Sequence, residues 1–179
     1  DDAGNEVSHL VQTRDGRYVA TFERGTHQGV TRDHYIELNL DIDANADADE
    51  AMWLLAYGWV YPTDSSINVA MGQGQHPVPH GVALEALDSH GRWIVLHPDL
   101  GFPAGKLKTM VIELPRLPDG RLPQRVRLRT NLEVYWDWIG SASRMDVAAR
   151  DIRRLAPEVA TLRYRGYSHT DLVGPRGLE

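Results

Sequence analysis

The segment Arg129-Thr130-Asn131-Leu132-Glu133-Val134-Tyr135-Trp136-Asp137-Trp138 concentrates the residue types that hold a polar ligand. In an extended chain successive side chains point to opposite faces, so Leu132, Val134, Trp136 and Trp138 are expected on one side and Glu133, Tyr135 and Asp137 on the other. An aromatic ring stacks on the C–H face of a sugar while amide, carboxylate and guanidinium groups bond its hydroxyls. Arg129, Asn131, Tyr135 and Asp137 are therefore the expected ligand-binding set for a carbohydrate or another polar small molecule. Asp64 and Asn68, in Asp64-Ser65-Ser66-Ile67-Asn68, join it if their loop lies alongside. The competing reading is structural. Leu132–Trp138 is then a core strand with two buried tryptophans and Asp137 bonding backbone or an arginine, while Asp64 and the serines cap a turn.

Other constellations carry less chemistry. Asp41, Asp43, Asn45, Asp47 and Asp49 place oxygen ligands at every second position, which a hard cation such as calcium could use. The EF-hand pattern fails, with Ala46 at the glycine position and Met52 at the bidentate-glutamate position, so a plain acidic connection is the first reading. No cofactor is expected, calcium at Asp41–Asp49 being the one alternative. Gly101–Thr109 has one residue too few between its glycines for a phosphate loop, and Leu107 stands where magnesium needs Ser or Thr. His76 and His80 flank Pro77 and Pro79 and so cannot share a helix face, and His27 and His34 have no carboxylate partner at a fixed spacing. Ser141 and Ser143 follow Gly140 without the second glycine of a nucleophile elbow. No catalytic or metal-binding residue is assigned, and the chain reads as a binding domain before an enzyme.

The elements that would position these residues are short and β-rich, separated by turn residues at the spacing of a sandwich or barrel. Tyr35–Leu40 alternates apolar and polar; Met52–Tyr61 is almost wholly apolar and is expected to be central and buried on both faces. Ile67–Ala70 continues the series. Val82–Leu87 and Arg92–Leu96 form a hairpin around Asp88-Ser89-His90-Gly91, with Gly91 at the positive-φ position. Lys108–Leu114, Arg125–Arg129 and Leu132–Ile139 follow, the last two separated by Thr130-Asn131, which predicts a bend or bulge rather than a hairpin. Met145–Leu155 fits the helical period poorly and is expected as strand or irregular chain.

The 179 residues, 42% hydrophobic and 25% charged, suit one domain with a packed core. Residues 1–6 and 170–179 are expected as loose ends. A net charge of -6 disfavours a nucleic-acid partner, and no apolar run is long enough to span a bilayer. There is no cysteine, which excludes disulfides and thiolate chemistry. The chain opens on Asp1 rather than Met, and the expectation is a leader or upstream domain before it.

The strings GWVYPTDSSINVAMGQG (58–74), RWIVLHPDLGFPAGKLKTMVIEL (92–114), RVRLRTNLEVYWDWI (125–139) and LRYRGYS (162–168) resemble the C-terminal region of bacterial FG-GAP proteins with an ASPIC/UnbV domain, often carrying tetratricopeptide repeats. Residues 14–40 are similar as well. The resemblance covers most of the chain and brings no catalytic residues. It implies a module of an exported or cell-surface protein, extracellular or periplasmic, whose partners are a polar ligand or neighbouring propeller and repeat domains. The fold expected is an all-β antiparallel sandwich over residues 1–179, of jelly-roll or galactose-binding-like type.

Overall fold

The computed structural model describes residues 1–19, 22–44, 51–74, 78–143, 155–164 and 166. By internal packing the chain divides into Asp1–Met145 and Asp146–Glu179. The described residues of the second unit form no helix or strand and expose Leu155, Val159, Leu162 and Tyr164. Of Met145–Leu155 only Leu155 is among the described residues, as is none of 170–179.

Among its described residues the first unit is all-β apart from one short helix and one 3-10 turn. Its strands are β1 (Val30–Asn39), β2 (Met52–Val60), β3 (Ala83–Leu87), β4 (Trp93–His97), β5 (Lys108–Glu113), β6 (Arg125–Leu132) and β7 (Val134–Ser143), with helix α1 (Ser65–Gln73) between β2 and β3. They make two antiparallel sheets, one ordered β1-β6-β3-β4 and the other β5-β2-β7. Buried residues of both sheets belong to one apolar core, in which Leu54, Leu84 and Val126 are wholly shielded. Each such side chain contributes about 1.5–3 kcal/mol relative to exposure.

The expected hairpin forms as β3–β4. Asp88 Oδ1 accepts from the backbone N–H of His90 and Arg92, both at 2.8 Å, and Gly91 takes φ +75°. Only glycine adopts that angle without strain. β2 is central in its sheet but not buried on both faces: Met52, Leu54, Ala56 and Val60 enter the core, while Trp53, Leu55, Tyr57 and Trp59 stand half-covered on the outward face. Ile67–Ala70 is helical rather than extended. Asp64 caps α1 by accepting from the Ile67 N–H at 2.8 Å, and that local bond outweighs the β preference of Ile67 and Val69.

Between β6 and β7 there is no hairpin, as expected. Thr130 and Asn131 remain inside β6, and the chain leaves one sheet for the other at Glu133. The backbone of Glu133 is satisfied outside both ladders, its N–H donating to the Gly29 carbonyl at 3.0 Å and its carbonyl accepting from Tyr61 N–H at 2.9 Å. Four residues on, the register slips: Gly58 pairs with Trp136 and Tyr57 with Trp138, so Asp137 bulges out of the ladder. That extra residue reverses the alternation. Trp136 lies in the core and Trp138 on the outward face, which separates two tryptophans expected on one side.

β7 is an edge strand, and the N-terminal segment covers it. Val19 N–H donates to the Trp136 carbonyl at 3.0 Å and Ile139 N–H to the Val11 carbonyl at 2.9 Å. Unpaired strand edges invite association with other chains, so this cover protects the sheet. Residues 1–6 form a turn in which Asp1 Oδ1 accepts from Ala3 and Asn5 N–H, and Asp2 pairs with Arg32.

Candidate functional site

The six side chains singled out in the sequence are not brought together. Arg129 lies on the outward face of the β1-β6-β3-β4 sheet, where its Nε and Nη2 reach Asp33 Oδ2 at 2.9 and 2.6 Å and its Nη1 lies 3.5 Å from Glu85. The Asp33 hydrogen bond raises its already high pKa further. His80 completes the group with Nε2 3.6 Å from Asp33. Asn131 is 3% exposed; its Oδ1 accepts from His80 N–H at 2.8 Å and its Nδ2 donates to the Val78 carbonyl at 3.0 Å. Asp137 is also 3% exposed, and its Oδ1 accepts from the N–H groups of Gly16 at 2.9 Å and Asp15 at 3.2 Å. Both therefore anchor neighbouring segments to their strands. Asp64 is the α1 cap and Asn68 is exposed within that helix.

The β1-β6-β3-β4 face is a closed electrostatic array. Arg127 lies between Tyr35 and Trp93, 4.0 and 3.7 Å from the ring centroids, and bonds Glu37 through Nε and Nη2 at 3.0 and 2.9 Å. Arg125 bonds the other Glu37 oxygen. Burial acts to raise the Glu37 pKa, but the two arginine hydrogen bonds outweigh it and hold the carboxyl below its ordinary range. With each charge answered on the sheet, little is left to recognise a ligand.

Tyr135 belongs to a different surface, the outward face of β5-β2-β7. Its ring stacks on its cross-strand partner Trp59, with centroids 4.6 Å apart and planes 9° apart. Tyr18 meets both rings edge-on at 6.3 and 6.0 Å, and Phe22 and Tyr61 extend the cluster. Tyr135 Oη donates to Glu133 and accepts from Arg24 Nη2 at 3.0 Å, while Arg24 Nε lies 3.1 Å from Glu133. Burial and the bond to Glu133 raise the phenol's pKa, so it remains a donor at neutral pH.

One face of the Trp59 ring is covered by Tyr135 on the β7 side. Trp59 also lines a cleft of about 750 Å³, walled by Tyr18 and Pro62 and by Gly105-Lys106-Leu107 leading into β5. Apolar, with one cation at its rim, it has the make-up of a small-ligand site. A row further along the sheet, Arg14 lies over Tyr57 and Trp138, 4.4 and 4.8 Å from the ring centroids. Sequence reasoning passed over Trp59, Tyr18 and Lys106. The available signal was the alternation Trp53-Leu55-Tyr57-Trp59, which repeats an apolar side chain on the face away from the core.

A more polar cleft of about 620 Å³ lies between the N-terminal segment and β1, but Asp2 and Glu37 on its walls are bound to arginines. Among the described residues no three His, Asp or Glu side chains converge as a metal-ligand group. Asp41 and Asp43 are exposed, and Asn45, Asp47 and Asp49 lie outside the described residues, as does His76. No helix among the described residues is long and apolar enough to cross a membrane. No family model, curated protein or solved structure matches this chain.

Proposed function

We propose that this chain is a non-catalytic recognition module of a larger exported or cell-surface protein, folded as a jelly-roll β-sandwich of galactose-binding-like type, and that it holds carbohydrate on the outward face of β5-β2-β7. The observation that carries this reading is the cleft against Trp59. An indole lining an apolar cleft offers a planar surface on which a pyranose C–H face stacks, with Tyr18 and Lys106 in the same lining for hydroxyl contacts. The resemblance to the C-terminal regions of FG-GAP and ASPIC/UnbV proteins supports the exported setting.

The test is calorimetric titration with a panel of neutral and charged oligosaccharides. Binding that is lost in Trp59→Ala and weakened in Tyr18→Ala, with both variants still melting cooperatively, supports the reading. Because Trp59 stacks on Tyr135 and Tyr18 packs against both rings, folding of each variant is checked by its melting temperature and urea midpoint. Absence of binding by every sugar at millimolar concentration defeats it.

The second reading is a structural domain that packs on neighbouring propeller or repeat domains. Val111, 65% exposed on edge strand β5 with half-covered Leu55 as its cross-strand partner, favours it, since neighbouring exposed apolar side chains mark interfaces. Substituting Val111→Asp would then abolish association with the parent protein's other domains and leave sugar titrations unchanged.

A further inference from the structure

The cations of the Asp1–Met145 unit are distributed unevenly. Arg17 pairs with Asp15, Arg24 with Glu133, Arg32 with Asp2, Arg92 with Asp88 and Arg121 with Asp119. Arg125 and Arg127 share Glu37, and Arg129 reaches Asp33 and Glu85. Arg116 donates to the Gly120 carbonyl. Among the described residues of this unit, Arg14, Lys106 and Lys108 are the lysines and arginines that bond neither a carboxylate nor a carbonyl, in a chain whose net charge is -6.

Two of them, Arg14 and Lys106, lie at the outward face of β5-β2-β7, while Lys108 shares the opposite face with its cross-strand partner Gly58. Arg14 covers Tyr57 and Trp138 on the outward face of β5-β2-β7, Lys106 lines the cleft against Trp59, and Lys108 opens β5 opposite Gly58. Lys106 and Lys108 are both of the chain's lysines. Tyr57 and Trp59 are two residues apart on β2, which sets their rows about 7 Å apart, a spacing that successive sugar units can bridge. Among the described residues of this unit, an acidic chain that sets its other arginines against carboxylates or carbonyls keeps Lys106 at an aromatic cleft and Arg14 one row along the same face, a surface fitted to an anion with an apolar face.

We propose that the ligand of this face is an anionic glycan, carboxylated or sulfated, with one sugar ring against Trp59 and its negative groups meeting Lys106 and Arg14. This rests on the carbohydrate reading above and adds the ligand's charge. The probes are oligogalacturonate, the same oligosaccharide fully methyl-esterified, chondroitin sulfate oligosaccharides and inorganic polyphosphate, titrated into the whole chain at low and moderate salt. An exposed ion pair changes affinity by up to roughly fivefold. Oligogalacturonate or the sulfated oligosaccharide is expected to bind about five- to twentyfold more tightly than the methyl ester, and the tighter of the two identifies the anion. Lys106→Gln and Arg14→Gln are each expected to remove about two- to fourfold of that preference, and Lys106, being exposed, should be replaceable without a change in melting temperature.

If the methyl ester binds as tightly as the free acid, or the Lys106 variant keeps the full preference, the charge assignment is overturned while the carbohydrate reading stands. If neither charged nor neutral sugars bind, the carbohydrate reading fails and takes this inference with it. Polyphosphate binding as tightly as the glycans, and unchanged in Trp59→Ala, would reduce the face to a non-specific cationic patch and also overturn the proposal.

Discussion

Replacing Asp137 by alanine should cost about 2–3 kcal/mol, and the reason lies in two backbone donors. Asp137 Oδ1 holds the N–H groups of Gly16 and Asp15, and by doing so keeps the Val11–Val19 segment along the edge of β7. Hydrogen bonds to a charged acceptor contribute roughly 1.5–3 kcal/mol each, but Asp15 and Gly16 are exposed and their freed N–H groups can turn to water, so the pair is placed at or just below the lower end of the summed range. For a unit of this size that corresponds to a fall in melting temperature of about 6–12 °C. Asp137→Asn retains an oxygen at the same position and should lose less than half as much. The assays are thermal and urea unfolding of the three proteins, with hydrogen exchange at the Val19 and Ile139 amides, which should quicken in the alanine variant before the core amides do. A loss below about 0.5 kcal/mol in Asp137→Ala, or an asparagine variant as unstable as the alanine one, would refute the anchoring role. A variant of unchanged stability but altered glycan affinity would return Asp137 to the ligand-binding set.

Gly58→Ala would place a Cβ against the Tyr135 carbonyl oxygen and 2.9 Å from Trp136 Cε3, where β7 approaches most closely at its bulge; a destabilisation of about 2 kcal/mol or more should appear as a lower urea midpoint. Asn131→Ala leaves His80 N–H and the Val78 carbonyl without their partner and should cost about 2 kcal/mol in the same assay, with the affinity of the folded protein for any glycan unaltered. His34 gives a pH dependence. Burial depresses its pKa, against the opposing hydrogen bond to the Arg32 carbonyl and the charge of Asp2. The unfolded chain therefore takes up the proton first, and stability that is level above about pH 6.5 should decline as pH falls below it. His34→Asn should flatten that decline between pH 6.5 and 5.5. The depressed Glu37 carboxyl acts in a separate window, its contribution being present above about pH 4.3 and lost as pH falls toward its folded value.

Much of the local structure was legible in the sequence. The β3–β4 hairpin follows from two apolar runs around Asp88 and Gly91, and the Tyr35–Leu40 alternation lies within β1 as far as Asn39. The absence of a hairpin after Arg129 was legible too, because two residues without a positive-φ glycine do not make a tight reversal. Helix α1 was not: Ile67 and Val69 favour strand, and the deciding interaction is the single Asp64 cap, which serves a turn as readily as a helix.

The site was less legible. The ligand-binding set was drawn from one contiguous string, and the fold divides that string between two sheets at Glu133, sending Arg129 to one outward face and Tyr135 to the other. Trp59, Tyr18 and Lys106 meet at the cleft from three distant stretches of chain, and no spacing rule connects them.

The sequence by itself determined what depends on neighbours along the chain: the β-rich character, most strand positions, the hairpin and its glycine, and the alternation along β1. These follow from the two-residue period of extended chain and from turn chemistry, both settled within a few residues. Tertiary structure decided which strand joins which sheet, where β7 bulges and which polar groups are spent on the fold. Those outcomes rest on pairings such as Glu37 with Arg127, 90 residues apart, and on the single skipped residue at Asp137 that turns Trp138 outward. A period-2 pattern is silent about its partner and reverses with one bulge, so only the assembled sheets could show that Asn131 and Asp137 hold the fold while Trp59 borders open space.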